Sequence, residues 1–206
     1  MVIFGYFYVK TSLLFLFAKY SIGVLLLLAN VTLFAQDKIE VERTVSSSQV
    51  PSAARAWLHE TYSQTPRLRW YLEKSSGETS YEAKLRHRGA WHSVEFGEDG
   101  VLQDIEIIVR MRDLPKAAHQ GIVAYLDTTY IKHRIRKIQQ QLTGSPEVVR
   151  AVVQGEPAEE VTYRYEIEFY GKNRQSKALW EGLFDGQGQL QERKRIILRP
   201  TDNLLY

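Results

Sequence analysis

Two histidines, His87 and His92, are placed for chemistry because they flank the short segment Gly89-Ala90. An imidazole binds metal ions and changes its charge near neutral pH. If Gly89-Ala90 is the two-residue loop of a β-hairpin, His87 faces His92 across the strands and Lys84 faces Glu95. The two rings could then hold a metal ion or act as a pH-sensitive hinge. We favour the simpler interpretation, two polar residues at a hairpin end, because the sequence places no carboxylate beside them.

A basic run, Lys132-His133-Arg134 followed by Arg136-Lys137, is the second candidate. It could attract an anionic partner such as a polysaccharide or a lipid head group. We favour the alternative, a solvated strand face, because the overall charge is small. Residues 1–36 contain only Lys10 and Lys19 as charged side chains, so the rest carries 25 Lys and Arg against 24 Asp and Glu, a net charge of +1. That balance predicts no affinity for nucleic acid.

A third set of residues could bind a partner through apolar contacts. Alternation along the predicted hairpins places these side chains on the face away from the core, among charged neighbours: Trp91, Tyr170, Leu179 and Leu183, beside Glu82, Lys84, Glu166 and Glu168. Aromatic groups among charges on a sheet face are typical of a protein-binding surface. The alternative is that two halves of the molecule cover each other with this face, and the sequence leaves both open.

The residues needed for several kinds of enzyme are missing. The chain has no cysteine, which excludes a thiol nucleophile and a zinc-thiolate site. His59-Glu60 is not followed by a second histidine at helical spacing, and no glycine-rich phosphate loop is present. We therefore predict no catalytic residue, no metal and no cofactor.

The elements that would position these residues form a repeat. The alternating stretch Tyr81–Asp104, with turns at Gly89 and Gly97–Gly100, recurs later as Tyr165–Phe169, a turn at Gly171 and a strand ending at Phe184. Each copy predicts a β-meander. A helix precedes each one, opened by Pro51 and by Pro115, because proline is tolerated in a first helical turn. We expect Trp57 to pack on Phe96 in the first copy, and Ile122 on Phe184 in the second.

The second copy carries an insertion. A strand is predicted around Ile135–Leu142, although its spacing also fits a helix. Ser145, Pro146 and Glu147 then provide a cap, a first-turn proline and a first-turn acid, so a short helix is predicted at Pro146–Val153. The strand Leu102–Val109 has no clear alternation, and we assign no faces to it.

The N-terminal segment is typical of an export signal. Ile22–Phe34 is an apolar run too short to span a bilayer comfortably, and Ala35 is a small residue at a plausible cleavage point. An uncleaved anchor helix is the alternative. We predict a signal peptide at 1–36, a flexible lead-in at 37–49, module 1 at 50–112, module 2 with its inserted helix at 113–199, and a tail at 200–206.

These residues resemble a known family. Val50-Pro51 before a helix, Tyr81-Glu82-Ala83, and Phe96 with Gly100 are repeated as Leu114-Pro115, Tyr165-Glu166-Ile167, and Phe184 with Gly188. The pattern is similar to the PepSY-like, β-lactamase-inhibitor-like family of exported bacterial proteins. The resemblance covers roughly residues 50–198 and implies a helix packed on an antiparallel sheet, used in tandem, in the periplasm or outside the cell. It carries over no catalytic residue, and the insertion after Ser145 departs from the simple repeat.

The sequence therefore predicts an α+β protein of tandem modules, each with one helix packed on an antiparallel β-meander, as in β-lactamase-inhibitor-like proteins. We expect an exported, periplasmic or secreted, non-catalytic protein that binds another envelope or secreted protein, such as an enzyme it inhibits. After signal cleavage we expect no stable membrane insertion. The alternative function is a small-ligand or envelope-glycan binder that uses the pocket between helix and sheet.

Overall fold

The computed structural model describes residues 37–38, 40–75 and 78–197. The predicted signal peptide and tail lie outside the described residues. Among the described residues, no helix is both long and apolar enough to cross a bilayer. The strands are β1 (Asp37–Lys38), β2 (Glu40–Val45), β3 (Arg69–Ser75), β4 (Glu78–His87), β5 (Ala90–Gly97), β6 (Leu102–Ile108), β7 (Lys132–Thr143), β8 (Thr162–Lys172), β9 (Lys177–Phe184) and β10 (Leu190–Ile196). The helices are α1 (Ser52–Thr61), α2 (Lys116–Thr129) and α3 (Pro146–Gln154).

All ten strands belong to one sheet, so the prediction of tandem helix-on-meander modules is wrong. The strand order is β1-β10-β9-β8-β7-β6-β5-β4-β3-β2, and every neighbouring pair is antiparallel except β1 with β10, which is parallel. The two predicted meanders are joined where β6 pairs with β7, from Ile105 opposite Leu142 to Ile108 opposite Gln139. This pairing satisfies the backbone groups that two separate modules would each expose at a sheet edge.

The inserted helix α3 also links the two halves. Its Val149 and Val153 are buried in the same hydrophobic cluster as Trp57 of α1 and Phe96 of β5. The Trp57 indole donates a hydrogen bond to the carbonyl oxygen of Pro146, at 3.1 Å. A helix from the second half of the chain thus completes the core of the first half.

The predicted contact of Trp57 with Phe96 is confirmed, and Ile122 and Phe184 lie in one buried cluster as predicted. Trp57 and Phe96 meet edge to face with ring centroids 5.8 Å apart, and both are buried. Ile122 of α2 and Phe184 of β9 are fully buried in a second cluster. The predicted strand over Ile135–Leu142 and the predicted helix from Pro146 are also present, with the Ser145 side chain accepting from the Val148 amide.

The predicted register of the central hairpin is wrong by two residues. Arg86 is opposite Trp91 and Leu85 is opposite His92, so the loop residues are Arg88 and Gly89. Both have positive φ, 45° and 85°, as this type of tight hairpin turn requires. Because side chains alternate with a period of two, the shift leaves every residue on its predicted face.

The segment predicted as a flexible lead-in forms strands. β2 pairs with β3 at one end of the strand order, and β1 pairs in parallel with β10 at the other end. A single residue separates β1 from β2 in the chain, so this segment reaches both ends of the sheet. The sheet must therefore curve strongly.

Candidate functional site: the concave sheet face

The buried side chains of all three helices lie in the two hydrophobic clusters on one face of the sheet. We call the other face the concave face. A single cavity of about 300 Å³ on this face is lined by residues from seven consecutive strands, β2 to β8. In a flat sheet those strands would spread over roughly 29 Å, at about 4.8 Å per strand. The curvature thus brings side chains from distant strands together.

This cavity, which we call the acidic trough, is lined mainly by carboxylates. Its charged members are Glu42, Glu73, Glu78, Glu82, Glu95, Asp104, Glu106 and Glu166, with Lys84 and Lys137 as the two cations. Glu82, Glu95 and Asp104 are direct cross-strand neighbours on β4, β5 and β6. Like charges placed opposite each other in this way are unfavourable unless something compensates them.

Lys84 balances part of the negative charge at one end of the trough. Its ammonium lies 3.2 Å from a Glu42 oxygen and 2.8 Å from a Glu82 oxygen. Oxygens of Glu42, Glu73 and Glu82 also lie within 4.8 Å of one another, which is close enough to hold a metal ion. The lysine already supplies the positive charge there, so this group is explained by an internal ion pair.

The pKa values at this end follow from the ion pair. Burial opposes the charged form of Lys84, but the charges and hydrogen bonds of Glu82 and Glu42 together outweigh burial and raise the lysine pKa. Burial also acts to raise the pKa of Glu82, which is 8% exposed. The hydrogen bond with Glu73 and the Lys84 charge outweigh burial, so the Glu82 pKa falls below its ordinary value.

Asp104 lies on β6, directly opposite Glu95 of β5. Burial and the neighbouring carboxylates of Glu95 and Glu82 raise its pKa to about 7, against the lowering effect of a hydrogen bond from Gln141 and the charge of Arg164. The Gln141 amide donates to Oδ2 of Asp104 at 2.9 Å. The other oxygen, Oδ1, is buried and has no hydrogen-bond partner among the described residues.

Two glutamines beside Asp104 add further acceptor oxygens without donors. Gln139 is 5% exposed and donates from Nε2 to Glu106. Its Oε1, like Oε1 of Gln141, is buried without a hydrogen-bond partner in the described part of the chain. Buried polar atoms are nearly always paired, so three unpaired acceptors in one region call for an explanation.

Trp91 lies at the mouth of a second, larger cavity that adjoins the trough. This space of about 810 Å³ is lined by Trp91 and Ile108 and shares Lys84, Ser93, Lys137 and Gln139 with the trough. Trp91 is 42% exposed and Ile108 is 39% exposed. The same cavity is also lined by Arg67 and Arg69, so the concave face has two exposed apolar side chains among cations next to an acidic interior.

The other predicted binding residues lie further along the concave face. Tyr170 of β8 is half-buried, with the guanidinium groups of Arg134 and Arg136 at 5.2 and 5.7 Å from its ring centre. Leu179, opposite Tyr170 on β9, is buried, and Leu183 is half-buried. Three strand spacings separate Trp91 on β5 from Tyr170 on β8, so the structure does not bring them together.

Two members of the predicted basic run form ion pairs, and the others are exposed. His133 pairs with Asp127 at 2.8 Å, and Lys137 pairs with Glu168. The remaining members join a group of exposed cations that we call the basic patch: Lys132, Arg134, Arg136, Lys172 and Lys177. Lys132, Lys172 and Lys177 are direct cross-strand neighbours, and none of the five forms an ion pair within residues 40–75 and 78–197.

His87 and His92 lie close together, but they are not directly paired and they face the core. Their ring centres are 5.4 Å apart, and the Tyr62 hydroxyl lies 3.1 Å from Nδ1 of His92. Burial, then the positive charges of His87 and Arg88, lower the pKa of His92 to about 4. His92 is therefore a buried, neutral residue that is hydrogen-bonded to a tyrosine, whereas the sequence predicted a polar residue at a hairpin end.

The pocket between helix and sheet that the alternative function requires is small. A cavity of about 250 Å³ lies between α1 and β3, lined by Leu58, Tyr62, Leu68 and Trp70 among others. Drug-sized ligands occupy roughly 300 to 1,000 Å³. The larger cavities described above are on the concave face.

Neither a protein-family model nor a curated protein matches this sequence. Similar solved structures include DUF2874 family proteins from Bacteroides ovatus ATCC 8483 (14% identity, 76% of this chain and 98% of that chain, TM-score 0.48) and from Bacteroides uniformis ATCC 8492 (14%, 71% and 89%, 0.47). A BLIP-like protein from Bacteroides fragilis NCTC 9343 is also similar (15%, 76% and 92%, 0.45). At such identities and TM-scores the likenesses assign neither a family nor a function, and the PepSY-like assignment stays a prediction.

Proposed function

We propose that this chain is an exported, non-catalytic protein that binds another protein through the concave face of its sheet. The observation that carries the proposal is the combination of an exposed aromatic rim, Trp91 with Ile108, and an adjoining acidic trough. Protein interfaces typically place a few large aromatic anchors next to polar groups that fix orientation. Because both hairpins lie in one sheet, their outer faces are continuous and do not cover each other.

Trp91 is the anchor we assign first. Its indole is large and rigid, so burying it against a partner gains much apolar contact for little lost rotamer freedom. Tyr170 is a second contact, held by two arginines at the basic patch. Leu183 lies on the same face on β9, beyond Tyr170 as seen from Trp91. Leu179 is only 6% exposed and would contribute mainly by shaping the surface.

We expect Trp91→Ala to weaken capture of the native partner by at least about 2 kcal/mol, roughly thirtyfold, while the melting temperature hardly changes. A photo-crosslinking amino acid at position 91 would first identify the partner in the native envelope. The affinity of the purified pair would then be measured for wild type and variant.

Val101→Ala is the matched control, because Val101 is 53% exposed at the turn between β5 and β6. It should leave the affinity unchanged, and a crosslinker at position 101 should not capture the same protein. Equal losses of affinity for the two variants would contradict the assignment of the concave face.

An anion-binding function is the second candidate, favoured by the cross-strand row of Lys132, Lys172 and Lys177. Replacing all three by glutamine should weaken binding of heparin, used as a sulfated model glycan, at least about tenfold at low salt. The control replaces three exposed cations elsewhere, Lys74, Arg112 and Lys116, by glutamine. If both triple variants lose affinity equally, only the net charge matters and the row of lysines is not a site.

A further inference from the structure

We propose that the cavity beside Trp91 takes an acidic side chain of the protein partner, an aspartate or glutamate that stands next to a large apolar side chain. This inference rests on the proposed function and names the chemistry that this part of the concave face selects. Three observations carry it: the positive charge of the cavity, two arginines in it that have no partner, and the apolar surface beside them.

The cavity is lined by cations. The charged side chains around its volume of about 810 Å³ are Arg67, Arg69, Lys84 and Lys137, and no carboxylate lines it among the described residues. His92 also lines it but is neutral, because burial lowers its pKa to about 4. An anionic group is therefore the kind of ligand that the cavity attracts.

Two of these cations, Arg67 and Arg69, are available to a ligand. Both are exposed, and neither forms an ion pair within residues 40–75 and 78–197. Arg69 is directly opposite Lys84 across β3 and β4, and like charges in this position repel each other. A bound carboxylate would offset that repulsion, and a guanidinium group can hold it with two parallel hydrogen bonds.

The backbone at Arg67 is fixed before any ligand binds. Its φ of 61° lies in the left-handed region, where a residue other than glycine is strained. Hydrogen bonds on either side hold this conformation: the Leu68 amide donates to the Thr65 oxygen at 3.3 Å, and the Arg86 amide donates to the Pro66 oxygen at 3.2 Å. A side chain on a fixed backbone loses less freedom when it binds, which favours affinity.

The lysines separate these arginines from the acidic trough. Lys84 and Lys137 line both spaces and are each paired with glutamates. Arg67 and Arg69 line the cavity at Trp91 and not the trough. A carboxylate held by the arginines is thus screened by two ammonium groups from the acids of the trough.

The cavity also offers apolar surface. Trp91 and Ile108 are 42% and 39% exposed, and Leu68 and Tyr71 are half-buried. A carboxylate fills only a small part of the cavity, so a large apolar side chain can occupy the rest and lie against the Trp91 indole. An acidic residue with a leucine or phenylalanine as its neighbour provides both groups.

A peptide segment suits the cavity better than an inorganic anion does. Gln139 is 5% exposed and lines the cavity, and its Oε1 has no hydrogen-bond donor among the described residues. A peptide brings backbone N–H donors together with its carboxylate, whereas an inorganic anion brings mainly acceptors. We therefore expect the acidic residue to lie within a chain segment of the partner.

Three capped tripeptides test the inference: leucine, glutamate and phenylalanine in that order, and its counterparts with glutamine or lysine in the middle. Titrated into the full-length protein at low salt and followed by NMR, the glutamate peptide should shift the backbone amide signals of Arg69 and Trp91 in a saturable way. The glutamine peptide should bind at least about tenfold more weakly, and the lysine peptide more weakly still, because the cavity is cationic. Added salt should weaken the glutamate peptide and leave the glutamine peptide nearly unchanged.

Replacing both arginines, Arg67→Gln with Arg69→Gln, should remove the preference for glutamate. Affinity for the glutamate peptide should fall at least about tenfold, to the level of the glutamine peptide, whose own affinity should hardly change. The control replaces two exposed cations outside the cavity, Arg112→Gln with Lys116→Gln, and should keep the preference. The comparison of the glutamate and glutamine peptides uses the wild-type protein, so it decides the question even where a variant fails to fold.

Four results would overturn the inference: no saturable shift with the glutamate peptide, equal binding of the glutamate and glutamine peptides, equal loss of the preference in the two double variants, or hexanoate binding as tightly as the glutamate peptide, which would indicate a site for small amphipathic acids. Failure here is distinguishable from failure of the proposed function, because the peptide experiment needs no partner. Trp91-dependent capture of a protein without a preference for the glutamate peptide would keep the function and remove the acidic-residue site. A preference for the glutamate peptide without Trp91-dependent capture would do the reverse.

Discussion

Replacing Phe96 by alanine should lower the free energy of unfolding by about 3 to 5 kcal/mol. The Phe96 side chain is fully buried, and its ring contacts Trp57 at 5.8 Å and Trp70 at 5.9 Å between ring centres. Removing it leaves a cavity between two large indoles that cannot easily collapse. For a domain of this size we expect the melting temperature to fall by on the order of 10 °C.

Phe184→Ala tests the second cluster in the same way. Phe184 is also fully buried, and its ring contacts Tyr125 at 5.4 Å. Val101→Ala, at an exposed site, is the control for both. Chemical denaturation followed by tryptophan fluorescence and by circular dichroism measures the effect, and losses as small as that of the control would refute the core assignment.

The same experiment tests the continuity of the sheet. Because β6 pairs with β7 and α3 packs into the first cluster, the two halves should unfold in one cooperative transition. Phe96→Ala and Phe184→Ala should each shift that single transition. Two independent transitions, each moved by only one of the variants, would indicate separable modules.

The local elements could be predicted from the sequence because their signals are local. Pro51 and Pro115 each stand immediately before a helix, and Ser145 caps α3 through the Val148 amide. Alternation along the central hairpin places Ala83, Leu85, Val94 and Phe96 in the core even though the register is misjudged. The error in register came from treating Gly89 as the first loop residue when it is the second.

The single sheet could not be predicted because its decisive pairing is not local. A repeated meander indicates that two similar sheets could exist, but nothing in β6 or β7 specifies that these two edges join. The acidic trough depends on that join. Asp104 and Glu106 on β6 alternate as a polar face would, but Ile107-Ile108-Val109 obscures the pattern, and Gln139 and Gln141 lie in the segment with an ambiguous period.

The predicted partner of Lys84 is an example of a contact that the local sequence cannot specify. The sequence pairs it with Glu95 across the hairpin, whereas the structure pairs it with Glu82 on its own strand and with Glu42 on β2. Glu42 is 42 residues away in the chain, and it approaches because β2 is the neighbour of β3 at one end of a curved sheet. Contacts of this kind follow from the strand order and have no signal of their own.

The stability of the protein should depend on pH through Asp104 and His92, in opposite directions. The pKa of Asp104 is raised from 3.8 to about 7, so the native state holds more protons than the unfolded chain between these values. Stability from this residue is greatest below pH 4 and falls by up to roughly 4 kcal/mol as pH rises through 7. The pKa of His92 is lowered from 6.5 to about 4, so its contribution is present above pH 6.5 and falls by roughly 3 kcal/mol as pH drops through 4.

The two effects nearly cancel between pH 4 and 6.5 in the wild type, and single variants should reveal them. Relative to wild type, Asp104→Asn should gain stability as pH rises from 4 to 7, because it no longer has a buried carboxyl to ionise. His92→Gln should gain relative stability as pH falls from 6.5 to 4, because no buried imidazole has to be protonated. Urea denaturation at pH 4, 5.5, 7 and 8 measures both differences in stability. The double variant should show the sum of the two differences, because the two side chains lie on opposite faces of the sheet. If the free energy of unfolding of each variant differs from that of wild type by the same amount at every pH, neither group has the shifted pKa that its burial requires.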